Sequence, residues 1–394
     1  MLSNRWTILA VLFIARISMG FQFQSVASVS PFLIHDLGLN YAQIGTLIGL
    51  FMLPGVFIAL PGGFLGKRYG DKRVCGTGLV LMVVGGLILG VSQSYALAVA
   101  GRLISGIGAV LFNVVLTKMV TDWFAGKEIV TAMGVVVSTW PFGIALALVT
   151  QSAVATAYSW STVMHFSTIV CAVSLGLVIA FYRRPPPLPE DREETSISFK
   201  VPWREALPVS MAGLAWGVFN VGLVLFFSFS PGLLTARGMS AIDAGALVSI
   251  GLWVSLLSIP LGGYITERLG RPGAAIVVLS VTAGAALILL PYAPVPVVLS
   301  VLVGLGVGAA GPIVALPSRA LAPQNRGPGL GIFFTWYYAV MAIGPLLAGL
   351  GQDLSGSPVA PVIIGGAAFV ATVAFLGLFH LFLIKSPVKV VRAG

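Results

Sequence analysis

Twelve long apolar runs, separated by short polar connections, restrict the folds open to this chain. Each run has about 20 residues or more, enough for a helix to cross a hydrocarbon core of ~30 Å. Only 9% of the residues are charged, whereas a water-soluble domain carries roughly 25%. Lipid is therefore the predicted solvent. The runs occupy residues 6–34, 43–66, 73–93, 96–122, 128–153, 160–182, 205–232, 241–266, 273–292, 295–318, 328–351 and 358–384.

Lysine and arginine residues are concentrated in alternate connections between the runs. If both termini lie on one side, the connections on that side hold nearly all of these residues, and the others hold only Arg237. Since Lys and Arg are retained in the cytoplasm, we predict a multi-pass protein of the cell inner membrane with both termini cytoplasmic. The net charge of +10 then follows from topology and does not indicate a nucleic-acid partner.

A proline-rich, charged segment divides the runs six and six. We predict an all-α membrane protein with a six-helix bundle over 1–182, a cytoplasmic linker over 183–204 and a second six-helix bundle over 205–394. The halves repeat each other at a constant offset: Ser28, Ser30, Pro31, Gly38, Gly45 and Leu47 recur at Ser228, Ser230, Pro231, Gly238, Gly245 and Leu247. Such parallel repeats predict two pseudo-symmetric bundles with a substrate site between them near the midplane.

Two charged glycine turns, GGFLGKRYG at 62–70 and GGYITERLG at 262–270, lie at the same offset. Together with RLISGIGA at 102–109, they resemble the loop and fourth-helix motifs of the major facilitator superfamily, and the likeness covers essentially the whole chain. The resemblance implies a secondary transporter that works by alternating access. The matching residues are Gly63, Arg68, Gly70, Lys72 and Arg73, then Gly263, Glu267, Arg268, Gly270 and Arg271, and Arg102, Gly106 and Gly108.

The resemblance also implies roles for individual residues. Lys67, Arg68, Glu267 and Arg268 are expected to gate the cytoplasmic side, and Arg102 is expected to couple the gate or to pack the fourth span. One position departs from the family pattern, because the first turn carries Lys67 where the family has an acid. A lysine cannot accept the hydrogen bonds of a carboxylate. We therefore expect unequal latches and a less restrained cytoplasm-open state.

Arg16 is the leading candidate for substrate binding. Counted from Trp6 at ~1.5 Å per residue, it lies ~15 Å deep, near the midplane. A charge at that depth is costly and is by default a functional hypothesis. The planar guanidinium suits bidentate capture of a carboxylate or a similar oxyanion. The alternative is an arginine neutralised by backbone carbonyls or by a buried partner.

The acidic residues sharpen this expectation. All 12 Asp and Glu residues lie in loops or close to span ends, so none is placed at the midplane to pair with Arg16. A net-positive cavity favours an anionic substrate, and it lacks the usual carboxylate for proton coupling. Exchange of one anion for another, or coupling through protonation of the substrate, is consistent with that pattern.

Neutral side chains at mid-span are candidates to complete the pocket, since their donors can orient a small ligand while their rings enclose it. They are Gln22, Gln24, Asn113, Trp140, Asn220, Trp336 and Tyr337. Each is also an ordinary packing residue. His165 is the one histidine placed for proton handling, although a structural imidazole is the simpler interpretation.

The sequence favours a carrier of small anions, either an organic monocarboxylate or an inorganic oxyanion. A proton-coupled drug or metabolite exporter of the same fold, or a membrane sensor that does not transport, remains an alternative. No nucleophile–base set or phosphate loop supports an enzyme, and no cofactor is predicted. Cys75 and Cys171 lie within apolar spans and indicate neither a disulfide nor a metal site. We expect a monomer whose partners are the anionic substrate and the bilayer.

Overall fold

A computed structural model describes residues 5–124, 128–183 and 201–384, and this part of the chain is almost entirely helical. The first half contains α1 Arg5–Ser28, α2 Ser30–Leu37, α3 Tyr41–Leu50, α4 Gly55–Tyr69, α5 Asp71–Gly90, α6 Tyr95–Trp123, α7 Ile129–Ala157 and α8 Trp160–Phe181. The second half contains α9 Trp203–Ala236, α10 Ala241–Leu269, α11 Pro272–Leu289, α12 Pro296–Gly306, α13 Ala310–Val314, α14 Arg326–Ser355 and α15 Val359–Ile384.

Twelve segments of the described chain are long and apolar enough to cross a membrane, six in each half. The predicted fold class is therefore confirmed. Helices of the first half pack on one another, for example α5 on α6 and α1 on α7, and in the second half α15 packs on α9 and α11. Most of the predicted linker falls outside the described residues, so its boundaries stay a prediction.

Turn geometry follows the internal repeat. Gly38 and Gly238 have φ angles of 63° and 94°, and Gly70 and Gly270 have φ angles of 87° and 62°. Positive φ is strained for residues with a Cβ, so glycine is required at both copies of each turn. Gly70 separates α4 from α5, and Gly270 separates α10 from α11. Residues 62–69 and 262–269 of the two charged segments are helical and end α4 and α10, so the turn in each segment begins at its last glycine.

Several spans depart from regular helix, since α9, α10 and α14 also contain internal prolines, and three of the departures lie near the centre of the protein. The second span stops at α3 and resumes at α4, with Pro54 in the gap. The tenth span passes through a 3₁₀ segment, Val307–Ala309, between α12 and α13. In α7, Pro141 has no N–H to donate to the carbonyl of Val137. Irregular backbone at this depth is tolerated where it is buried in protein or lines a cavity.

The halves meet mainly at one face. We call the face that carries Arg5 and Ile384 the terminal face and the opposite one the distal face. At the distal face, α14 packs on α3 and α10 packs on α7. Gly45 lies directly against the backbone of Pro345, and Gly49 lies directly against that of Ala342. No larger residue fits at either position without displacement of the facing helix.

Contacts between the halves thin out toward the terminal face. The pairing of α4 with α14 continues there, at the level where the Tyr338 ring covers Gly55. The described salt bridges at this face, Arg5–Glu128, Lys118–Asp71 and Lys118–Asp122, all lie within the first half. The structure is therefore closed at the distal face and less restrained at the terminal face.

Candidate substrate-binding site

A central cavity of about 160 Å³ lies between the two halves. Three irregular points reach it: Met52 in the α3–α4 break, Pro141 of α7 and Val307 of the 3₁₀ segment. Its other lining residues are Arg16, Met19, Asn113, Val137, Trp140, Trp216, Phe219, Asn220, Leu223, Ile259, Ala310, Phe334, Tyr337 and Tyr338. Five of the eight predicted substrate-binding residues are thus brought together: Arg16, Asn113, Trp140, Asn220 and Tyr337.

Arg16 is the cationic residue of this lining. Close packing of α1 on α7 positions it, because Gly20 leaves room for the Trp140 carbonyl and Gly143 leaves room for that of Ile17. Nη1 of Arg16 donates to the carbonyl oxygen of Val136 at 2.6 Å, and its buried Nε has no hydrogen-bond partner. None of the described lining residues is acidic. The guanidinium therefore keeps donors for a ligand and has no counter-charge in the cavity wall.

Two amides add neutral polar groups. The side chain of Asn113 on α6 adjoins the Tyr338 hydroxyl, and its Oδ1 has no hydrogen-bond partner. Nδ2 of Asn220 on α9 donates to the carbonyl oxygen of Trp216 at 2.8 Å. That bond to its own helix fixes the Asn220 rotamer. The Oδ1 of Asn220 can then face a bound molecule, whereas the Oδ1 of Asn113 is buried.

Aromatic rings from α9 and α14 form most of the opposite wall. Trp216 stacks on Tyr337 with 6.0 Å between the ring centroids and an interplanar angle of 26°. Tyr337 also meets the edge of Tyr338 at 4.9 Å. Trp216 stacks on Phe219 at 6.0 Å. Contacts within this range hold aromatic rings in defined relative orientations, so the wall is a preformed surface.

Gln22 and Gln24 follow Arg16 in the sequence but lie outside the cavity. Nε2 of Gln22 donates to the Met82 carbonyl at 2.9 Å, inside the first half. Nε2 of Gln24 donates to the Phe227 carbonyl at 3.2 Å and so crosses between the halves at the distal side. Trp336 is 41% exposed and does not line the cavity. Gln22, Gln24 and Trp336 are therefore not grouped with Arg16 in the structure.

Arg102 is fully buried, and its side chain links three helices by hydrogen bonds. Its Nε donates to the Leu47 carbonyl at 2.8 Å, and its two terminal nitrogens donate to the carbonyls of Gln22 at 3.2 Å and Phe23 at 3.1 Å. The guanidinium also lies 4.7 Å from the centroid of the Phe51 ring. Arg102 thus ties α6 to α1 and to the end of α3. Of its two expected roles, this geometry fits packing.

His165 lies toward the distal end of α8, where its ring packs on Gly90 of α5. It does not line the central cavity. The position gives no contact with Arg16 or with the aromatic wall, and a role in proton handling stays a prediction.

The predicted gating residues lie at the terminal face. Lys67 lies in α4, and its side chain is outside the described part of the structure. The guanidinium of Arg68 lies 5.4 Å from the ring centroid of the next residue, and that of Arg268 lies 5.4 Å from that of Tyr264. Glu267 is exposed. Their part in gating stays a prediction.

Asp353, near the end of α14, is a functional candidate that sequence reasoning missed. Its Oδ1 accepts the N–H of Tyr41 at 3.0 Å and its Oδ2 accepts the N–H of Ala42 at 2.7 Å. These N–H groups begin α3 and have no acceptor within that helix. A carboxylate of the second half thus caps a helix of the first half at the distal face. The sequence did contain a signal for this role, because Asp353 is the single acidic residue in an otherwise apolar or neutral stretch at the end of α14.

No group of three or more His, Cys, Asp or Glu side chains placed to hold a metal ion occurs in 5–124, 128–183 and 201–384. Cys75 and Cys171 are buried free thiols, and neither lines the cavity.

Twelve spanning helices in two similar halves, closed at one face around a central cavity, define a membrane transporter. The model of the Major Facilitator Superfamily matches residues 12–345 and, in a second match, residues 226–393. The chain therefore belongs to that superfamily, and the resemblance of its motifs is confirmed. The proteins of this family to which it is similar are transporters and not enzymes.

Three transporters are similar in sequence to part of the chain. The hexuronate transporter of Bacillus subtilis (strain 168) is 24% identical over 67% of this chain and 65% of its own length. A probable nitrate transporter NarT of Staphylococcus haemolyticus (strain JCSC1435) is 33% identical over 27% of each chain. The lysosomal dipeptide transporter MFSD1 of Danio rerio is 24% identical over 62% of its own length. Each match covers less than two thirds of the relative.

Solved structures confirm the fold over nearly the whole chain. The nucleoside transporter NupG superposes with a TM-score of 0.72 at 14% identity, covering 97% of this chain and 100% of its own. A bacterial homologue of the human lysosomal transporter Spinster, solved inward-facing and unoccupied, gives a TM-score of 0.71 at 16% identity. That match covers 97% of this chain and 96% of the other.

Proposed function

We propose that this protein is a secondary active transporter that moves a small anion across the inner membrane by alternating access, with Arg16 as the central anion-binding residue. The observation that carries the proposal is the environment of Arg16. Its guanidinium lies in the central cavity with one backbone carbonyl as partner, and no described lining residue is acidic. An uncompensated charge in such a place costs several kcal/mol, and a bound anion would offset that cost.

Two of the similar proteins are named for anionic substrates, hexuronate and nitrate. This supports the substrate charge but not a particular substrate, because the matched segments are partial. With both termini cytoplasmic, the distal face is the outer one and the structure is an inward-facing state. The carrier then binds or releases its anion toward the cytoplasm, and we propose that it does so as a monomer.

Coupling follows from the same lining. Since no described carboxylate lies in the cavity, a proton has no acidic carrier beside Arg16. We therefore propose exchange of one anion for another, or entry of a proton on the substrate itself. The bound anion, or the proton that the substrate carries, then balances the charge of Arg16. No side chain of the cavity has to titrate during transport.

The test is a binding screen followed by transport. Purified wild type, Arg16→Gln and Arg237→Gln are screened by thermal shift against nitrate, acetate, benzoate, glucuronate and neutral and cationic controls. Arg237 is the matched control, because it is a distal arginine that bonds the carbonyls of Leu290 and Ala293. We expect anions to stabilise wild type and Arg237→Gln but not Arg16→Gln.

Counterflow of the stabilising anion in proteoliposomes then separates a carrier from a sensor, since a sensor binds ligand and moves none. The proposal is wrong if neutral or cationic compounds stabilise all three proteins equally while anions have no effect. It is equally wrong if anions stabilise Arg16→Gln as strongly as wild type.

A further inference from the structure

The two halves contribute different chemistry to the central cavity. The first half supplies the cation Arg16, whereas the second half supplies the stacked rings of Trp216, Phe219 and Tyr337. Each half also adds one amide, and the first half adds the ring of Trp140. The internal repeat makes the contrast clear, because Trp216 stands at the repeat position of Arg16. The same place in the fold therefore holds a charge on one wall and an aromatic plane on the other.

We propose that the anion accepted here is an organic carboxylate with a flat apolar body, of the aromatic monocarboxylate class. This inference rests on the proposed function and specifies its substrate. The carboxylate binds at Arg16 through Nη2 and the second N–H of Nη1, because Nη1 already donates once to Val136 and the Nε is buried. The body of the substrate lies against the rings of the second half. Offset or edge-to-face ring contacts then add to the burial of apolar surface.

An inorganic oxyanion uses only one of these walls. Nitrate would be held by Arg16 and would leave the rings of α9 and α14 without contact. A cavity of about 160 Å³ is several times the space that one water needs, so a three-oxygen anion would share it with water. Preformed apolar surface in a pocket serves the part of a ligand that carries no charge.

A hexuronate meets the opposite difficulty. Each of its hydroxyl groups needs a hydrogen-bond partner once it leaves water, and an unpaired one is costly. The described lining has no carboxylate, and its neutral polar groups are the amides of Asn113 and Asn220, two tyrosine hydroxyls and the indole N–H groups of Trp140 and Trp216. The Oδ1 of Asn113 is buried, and the Nδ2 of Asn220 already donates to its own helix. The rest of the lining is apolar, so its walls suit one charged head better than a ring of hydroxyls.

The test compares five probes on the purified full chain: benzoate, its neutral isostere benzamide, acetate, nitrate and glucuronate. The variants are Arg16→Gln, Tyr337→Leu and Trp336→Leu. Trp336 is the matched control, because it is the adjacent aromatic residue of α14 but lies outside the cavity. Tyr337→Leu keeps apolar volume and removes the ring.

For wild type we expect benzoate to bind more tightly than acetate, nitrate or glucuronate, and benzamide to bind at least tenfold more weakly than benzoate. Tyr337→Leu should weaken benzoate about five- to tenfold, as expected for one ring contact. The ratio of benzoate affinity to acetate affinity should fall, and a cooperative unfolding transition without ligand shows that the variant is folded. Trp336→Leu should match wild type.

Two failures are distinguishable. If nitrate or glucuronate binds more tightly than benzoate and depends on Arg16, the aromatic class is wrong and the anion carrier stands. Unchanged benzoate affinity in Tyr337→Leu also overturns the class. If no anion depends on Arg16, the proposed function itself fails and this inference fails with it.

Discussion

The distal gate should weaken when Asp353 is replaced by alanine. Asp353 of the second half accepts the N–H groups of Tyr41 and Ala42 at 3.0 and 2.7 Å. Both N–H groups belong to the first turn of α3, so the carboxylate also meets the positive end of that helix. This contact can exist only while the halves are together at the distal face. Its loss should therefore shift the population toward distal-open states.

The magnitude follows from helix capping. Replacement of a capping side chain by alanine costs ~0.5–2 kcal/mol. Asp353 is exposed, and the freed N–H groups can bond water once the carboxylate is gone. We therefore take about 1 kcal/mol, which changes the ratio of distal-open to distal-closed molecules about fivefold. Asp353→Asn keeps one acceptor oxygen but no charge, and about a twofold change is expected on the same scale.

Spin labels across the distal face measure this ratio. Tyr158 at the end of α7 and Tyr292 beyond α11 are 78% and 71% exposed and lie in different halves. Labelled cysteines at these positions give a distance distribution in nanodiscs, and the native Cys75 and Cys171 are buried. The long-distance population should grow in Asp353→Ala.

Asp243→Ala is the control for loss of negative charge. Asp243 lies on the same face, in the first turn of α10, and bonds only Ser240 of its own half. A latch predicts a shift in Asp353→Ala and none in Asp243→Ala. Equal shifts in both variants would show that net charge controls the face, and no shift in either would refute the latch.

Three further changes test the framework. Arg102→Met should lower the unfolding temperature strongly, because it removes three buried hydrogen bonds from a charged donor, each worth ~1.5–3 kcal/mol. A change of less than one degree would contradict the structural role. Gly45→Val should open the distal face in the spin-label assay, since a side chain there meets Pro345, whereas Gly176→Val, with open space around it, should not. Lys67→Asp should restore the acid of the first charged turn and raise the fraction closed at the terminal face; an unchanged fraction, measured with labels on that face, would count against unequal latches.

The spans and turns could be predicted because they depend on local properties of the chain. Length and apolarity place a helix in lipid, and a glycine with positive φ ends a helix wherever it recurs, as at Gly70 and Gly270. The depth of Arg16 also followed from a count along one helix. None of these inferences requires knowledge of which helices are neighbours.

The composition of the site depends on helix rotation, which the sequence leaves open. Adjacent residues of a helix point about 100° apart, so Tyr337 lines the cavity while Trp336 does not. Gln22 and Gln24 share a helix with Arg16 but bond Met82 and Phe227 on other helices. Whether such a side chain lines the cavity depends on which helix packs against it. The hydrophobic pattern of one sequence does not show which helices are neighbours.

The internal repeat separates the parts of this protein that build the fold from those that serve the substrate. Gly45 and Gly245 are repeat mates, and both pack against backbone of the opposite half, at Pro345 and Leu148. Such positions must stay alike, because the two halves approach each other through the same surface twice. Position 16 and its mate 216 differ in charge, size and shape, although the fold treats them equivalently. Symmetric packing therefore cannot explain their difference, whereas a ligand with unlike ends can.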